Sequence, residues 1–237
     1  MKKFVHISLF LITLLFSIKC VALEFSTDIP SSPNQALIVI HGWRQNGKSM
    51  EWMGNQLKKD FPDMAFYYPT APDKAPNGGY QWFVIPTLGE GMNKEEIYNQ
   101  MMSSALDNLH YLHKLITYIH QTQNIDYNNI HITGFSQGGF MALMGALTYP
   151  KKIGKVISFS GVPVMYTKDF QKKDVISYPD VLIIQGNNDT VIPSNSFDLT
   201  QKTLKTLPLK FDLKLIFNMP HTINDIALNY AKDFLKN

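Results

Sequence analysis

Apolar residues fall in two rhythms along this chain. Short, largely apolar runs stand at 36–41 (ALIVIH), 64–68, 130–133, 156–160, 181–185 and 211–217. The continuous run at 36–41, rich in β-branched residues, suits a strand buried on both faces, as in a parallel sheet. Between them the spacing lengthens to three or four residues. The clearest case is 95–121, where Ile97, Met101, Ala105, Leu109, Leu112, Ile116 and Ile119 form one stripe of a long helix. Further helices are predicted at 50–59, 137–147, 194–204 and 223–235. The segment 25–34, rich in Ser, Pro and Asp, reads as a lead-in with a short edge strand, and 69–93, rich in Pro and Gly, as a long loop. Alternation of strands and helices predicts a mostly parallel central sheet with helices on both faces. In such sheets, sites form at the carboxyl ends of the strands.

The first 22 residues stand apart from this pattern. Lys2 and Lys3 precede an apolar run at 7–18, followed by Lys19, Cys20, Val21 and Ala22. Charge, a short apolar core and a small-residue cleavage site are the layout of a secretory signal, with cleavage after Ala22. The run is short for a permanent membrane anchor. Lys19, directly before Cys20, argues against acylation of that cysteine. The expected organisation is therefore a signal peptide, 1–22, and a single domain, 23–237, exported to a periplasm or beyond.

Removing the signal changes the charge picture. The whole chain of 237 residues carries 22 basic and 19 acidic side chains. Without Lys2, Lys3 and Lys19 the balance is even, which favours neither nucleic acid nor an anionic membrane surface. The single cysteine leaves with the signal, so the remainder has neither a disulfide nor a thiol nucleophile. With 45% hydrophobic residues the chain can bury a sizeable core.

The chemistry gathers after three of the predicted strands. Gly134-Phe135-Ser136-Gln137-Gly138 matches G-x-S-x-G between the strand 130–133 and the helix 137–147. There a serine sits on a sharp strand-to-helix turn, small flanking residues let the backbones pass, and the helix N-terminus favours negative charge. A serine hydroxyl needs a base. His221 follows the last strand and can reach Ser136. His110, His113 and His120 lie along the long helix and are expected to face solvent. His110 and His113 stand one turn apart, but no carboxylate or cysteine cluster accompanies them at metal-ligand spacing. His131 lies within a strand and reads as a core histidine. The base in turn needs a carboxylate. Asp189 follows the strand 181–185, whereas Asp180 precedes it and would lie at the wrong end of the sheet. For an oxyanion, one backbone N–H is expected from Gln137 and a second from Trp43, in the turn His41-Gly42-Trp43. His41 itself reads as structural.

The chain order Ser136, Asp189, His221 is that of α/β-hydrolases. Taken together, these residues resemble the phospholipase/carboxylesterase family, which includes the acyl-protein thioesterases. The resemblance runs from about residue 36 to the C-terminus. It rests on Gly134 to Gly139, on the segment 181–193 around Asp189, on Ile40-His41-Gly42, on Tyr68-Pro69-Thr70-Ala71-Pro72 and on Trp82-Phe83. It implies the α/β-hydrolase fold and hydrolysis of small-molecule or lipid-like esters or thioesters, without metal or cofactor. The sequence departs from the family where Arg44 and Gln45 replace a glycine and an acidic residue, and Gly161-Val162-Pro163-Val164 matches only approximately.

Residues 82–86, Met165-Tyr166 and Val191-Ile192 read either as an acyl pocket or as core. Arg44 reads as a solvated surface arginine, with contact to an acidic leaving group as the alternative. Two other functions fit the same residues: an exported depolymerase or polysaccharide side-chain esterase, and a non-catalytic binding protein. A peptidase would want a cap or propeller domain that the sequence does not supply.

Overall fold

A computed structural model describes residues 23–86, 93–193 and 195–237. The signal-peptide reading of 1–22 therefore lies outside the described residues. Seven strands form one sheet in the order β1-β3-β2-β6-β7-β8-β9. β1 (Phe25–Asp28) is the expected edge strand and runs antiparallel to β3 (Met64–Pro69). The strands β2 (Gln35–Ile40), β3, β6 (Ile130–Phe135), β7 (Lys155–Phe159), β8 (Asp180–Gly186) and β9 (Phe211–Ile216) pair in parallel.

Each face of the sheet closes a separate core. Ala36, Ile38 and Ile40 face α2 (Lys94–Gln123), α3 (Gln137–Leu147) and α4 (Asn195–Leu204). Leu37 and Val39 face the other way, toward α1 (Glu51–Leu57) and α5 (Asp225–Lys236). This is why the run reads as continuously apolar: side chains alternate, but both sides are covered.

Helix boundaries follow their caps. α2 begins at Lys94 because Asn93 and Glu96 form a reciprocal capping box, each side chain accepting the other's backbone N–H at 3.0 Å. It ends at Asn124, which turns left-handed with φ 54°. α5 starts two residues later than its pattern predicts, since Asn224 accepts the Ala227 N–H at 2.9 Å and fixes the cap. The predicted helix 50–59 is shorter, a 3-10 turn at Gly47–Met50 leading into α1.

The predicted loop 69–93 contains a small hairpin, β4 (Asp73–Lys74) against β5 (Tyr80–Gln81). Its turn passes through Asn77, Gly78 and Gly79, all with positive φ. Two-residue strands leave no periodicity to detect. Among the described residues no helix is long and apolar enough to cross a membrane.

Candidate active site

Ser136 joins β6, in the middle of the sheet, to the N-terminus of α3. Its backbone has φ 56° and ψ −117°, a conformation L-residues rarely adopt. Three hydrogen bonds hold it there. The Ser136 N–H donates to Phe159 O on β7 at 2.8 Å, and Ser136 O accepts from Gly139 N at 3.0 Å and Phe140 N at 3.2 Å. The flanking glycines are required by contact. A Cβ on Gly134 would lie 2.2 Å from Gly138 O, and one on Gly138 would lie 2.2 Å from Ile40 O. The strained turn thus lifts a half-exposed serine above the sheet.

Asp189 and His221 approach from the two adjacent strand ends. The loop after β8 is laced to the loop after β9. Asn187 N donates to Ile216 O at 3.0 Å, Asn188 N to Met219 O at 3.2 Å, and Asn218 N to Asn187 Oδ1 at 2.7 Å. These bonds bring His221 Nδ1 to 2.8 Å from Asp189 Oδ2. The other carboxylate oxygen, Oδ1, accepts Val191 N–H at 2.9 Å and Ile192 N–H at 2.8 Å. The Asp189 side chain is fully buried, while that of His221 is 16% exposed. A buried carboxylate with three donors has its hydrogen bonds satisfied and orients the imidazole. The ring of Phe135 packs against that of His221, centroids 4.7 Å apart.

One cavity of about 400 Å³ gathers the remaining parts. Ser136, Gln137, Trp43 and His221 line it together with Ile85, Met101, Val162, Val191 and Ile192. Among the described residues, neither the Trp43 nor the Gln137 backbone N–H bonds another protein atom. Gly42 N–H, by contrast, is taken by Gln45 Oε1 at 2.9 Å.

The residues read as pocket or core divide. Trp82 and Phe83 are fully buried core, and the Trp82 indole donates to His41 O at 3.1 Å. Ile85, Val191 and Ile192 line the cavity. Tyr166 packs against the core on Phe170, with its hydroxyl 2.7 Å from Thr206 Oγ1, and Met165 N–H donates to Tyr98 Oη at 2.9 Å; neither is among the described residues that line the cavity. Arg44 turns to the hairpin and donates to Asn77 O at 2.9 Å, so Gln45 rather than Arg44 faces the cavity.

The histidines also divide. His41 is fully buried. Its Nε2 accepts Ala71 N–H at 3.0 Å, so the proton sits on Nδ1 and goes to Gly42 O at 2.6 Å. Burial holds its pKa down to about 4. It props the turn that presents Trp43, and is not a base. His131 is a buried core histidine, also pushed down by burial to about 4; its Nδ1 accepts Lys155 N–H at 2.9 Å. Of the three on α2, only His110 is exposed. His113 and His120, expected in solvent, are half-buried: His113 Nε2 lies 3.1 Å from Gly145 O and 3.2 Å from Thr148 Oγ1, and His120 Nδ1 lies 2.9 Å from Ile125 O. α2 packs on both α3 and β6, and this covers a wider arc than the apolar stripe alone indicates.

Sequence reasoning missed the Gln137 side chain. It is almost fully buried; Oε1 accepts Trp82 N–H at 2.8 Å and Nε2 donates to Phe83 O at 2.6 Å. Asn108 does the same from α2, donating to Trp82 O at 2.9 Å and Asp73 Oδ2 at 2.7 Å. Each is a lone amide on a buried helix face, and that is the signal that could have found them.

A parallel sheet with covered faces, a strained serine turn at its centre and a buried Asp–His pair at the neighbouring strand ends define the α/β-hydrolase fold. The chain belongs to the phospholipase/carboxylesterase family, whose model matches residues 26–237. It is 27% identical to acyl-protein thioesterase 1 of Eremothecium gossypii, over 85% of this chain and 86% of that one. It is 26% identical to a probable carboxylesterase, SOBER1-like, of Arabidopsis thaliana, over 84% of this chain and 77% of that one. The fold superposes on the crystal structure of esterase PE8 with a TM-score of 0.80 at 24% identity, covering 91% of this chain and 99% of that one.

Proposed function

We propose that the protein hydrolyses carboxylic esters or thioesters through a Ser136–His221–Asp189 triad and an acyl-enzyme intermediate. The observation that carries this is the shared cavity: Ser136, His221, Trp43 and Gln137 line one space, the Trp43 and Gln137 backbone N–H groups have no partner among the described residues, and His221 is bonded behind to buried Asp189. The thioesterase and carboxylesterase relatives support the same substrate class.

In this mechanism Asp189 holds the His221 proton on Nδ1, leaving Nε2 to accept the Ser136 hydroxyl proton. Oγ bonds to the acyl carbon, and the carbonyl electrons move to oxygen. The Trp43 and Gln137 N–H groups donate to that oxyanion, aided by the N-terminus of α3. The tetrahedral centre collapses, His221 gives its proton to the leaving oxygen or sulfur, and Ser136 is left acylated. Water then repeats the steps in reverse order, with His221 as base, and releases the acid.

The test is hydrolysis of a p-nitrophenyl ester series from acetate to palmitate, by the wild type and Ser136→Ala, with phosphonate labelling of the serine. Activity and labelling lost together in the variant support the reading. Turnover retained by Ser136→Ala overturns it. We also propose that residues 1–22 direct export.

A further inference from the structure

Two cavities, not one, meet at His221. The larger, already described, contains Ser136 and aliphatic walls. A second, of about 280 Å³, is lined by Met50, Trp52, Thr222 and Ile223. Gln45, Phe135 and His221 belong to both. The inference rests on the proposed function, whose chemistry separates the two spaces. The acyl group stays bonded to Ser136 until water releases it, so it occupies the chamber that holds Ser136. The leaving group takes its proton from His221 and departs on that side, toward the second chamber.

The walls of the second chamber select what departs. Among the described residues they carry, apart from His221, no ionisable side chain: Gln45, Met50, Trp52, Phe135, Thr222 and Ile223. A phosphate or carboxylate seated there would find no counter-charge in these walls. Gln45 occupies the place where the family resemblance expects an acid. Its Oε1 is fixed by the Gly42 N–H at 2.9 Å, so Nε2 is the group left to donate to a ligand at the junction. Trp52, on α1, is 42% exposed and offers a flat apolar face at the rim. An exposed indole in a concave, uncharged site is a stacking surface for a ring.

We propose that this chamber is a leaving-group subsite for an uncharged, ring-bearing alcohol or thiol, with its ring against Trp52 and a polar substituent on Gln45 Nε2. It forms no bond and moves no proton; it positions the group that His221 protonates.

Four butyrate esters test this, because all pass through the same acyl-enzyme: ethyl, benzyl, the ester of the glycolate hydroxyl, and the 6-O-ester of methyl glucoside. The expected result is a kcat/KM for one or both ring esters roughly tenfold above the ethyl ester, the scale of a stacked ring contact, with the anionic glycolate ester below all of them. The benzyl and glucoside arms distinguish an aromatic from a sugar ring. In Trp52→Ala the ratio of ring ester to ethyl ester should fall to about one, and Trp52→Phe should restore most of it. Since Trp52 is half-exposed, the alanine variant should fold. A ratio unmoved by Trp52→Ala, or a glycolate ester cleaved as fast as the ring esters, overturns the subsite. If ethyl butyrate is cleaved through Ser136 without ring preference, only the subsite fails. If no ester is cleaved and Ser136 is not labelled, both readings fall.

Discussion

Asp189 Oδ2 lies 2.8 Å from His221 Nδ1, and the same carboxylate accepts two backbone N–H groups through Oδ1. The two roles are separable by chemistry. In Asp189→Asn the amide oxygen can still accept from Val191 and Ile192, so the loop should keep its shape. The amide nitrogen, however, faces His221 as a donor and forces the proton onto Nε2. That tautomer cannot accept from Ser136. The expected outcome is a kcat lower by roughly 10⁴-fold with little change in melting temperature, measured by steady-state kinetics and thermal unfolding.

Gln137 contributes twice, through its backbone to the cavity and through its side chain to the core. Gln137→Leu removes the partners of the buried Trp82 N–H and Phe83 C=O. Each unpaired group costs about 1–3 kcal/mol, so the variant should lose about 3 kcal/mol in urea unfolding. Its backbone N–H is unchanged, and the folded fraction should still react with a phosphonate.

The turn geometry makes a sharper prediction at Gly138. A Cβ there would meet Ile40 O at 2.2 Å, backbone against backbone, with no flexible side chain to yield. Gly138→Ala should displace β2 from α3 and abolish activity. Expression and circular dichroism beside the ester assay would show whether folding is lost as well.

Two buried histidines give stability a pH dependence. Burial lowers His41 and His131 from 6.5 to about 4. A group with a depressed folded pKa favours folding above its unfolded pKa, and that contribution is lost as pH falls through the folded one. The window is therefore pH 6.5 down to 4, with a loss of about 2 kcal/mol per histidine between pH 7 and 5. Urea unfolding at both pH values should show it, and His131→Gln should show roughly half the loss.

Export has its own readout. When the whole chain is expressed with a secretion pathway available, the exported protein should begin Leu23-Glu24-Phe25, as N-terminal sequencing would show. An uncut Met1 terminus would count against the signal reading of 1–22.

Much of the arrangement was written locally in the chain. The alternation of short apolar runs with helical stripes specifies a covered parallel sheet, because strand and helix periods are set by backbone geometry. Gly134, Ser136 and Gly138 specify the turn, because their spacing answers a steric demand within five residues. Asp189 and His221 were legible from their positions just after strands. Tertiary structure alone decided the rest. It sent Trp82 and Phe83 into the core while Ile85 lines the cavity, though all three stand within four residues. It buried the Gln137 amide, half-buried His113 and His120, and set Gln45 and Trp52 beside His221 from segments far apart in the chain. Those outcomes depend on which surfaces meet across the sheet, and contacts between distant segments leave no period or spacing in the sequence to read.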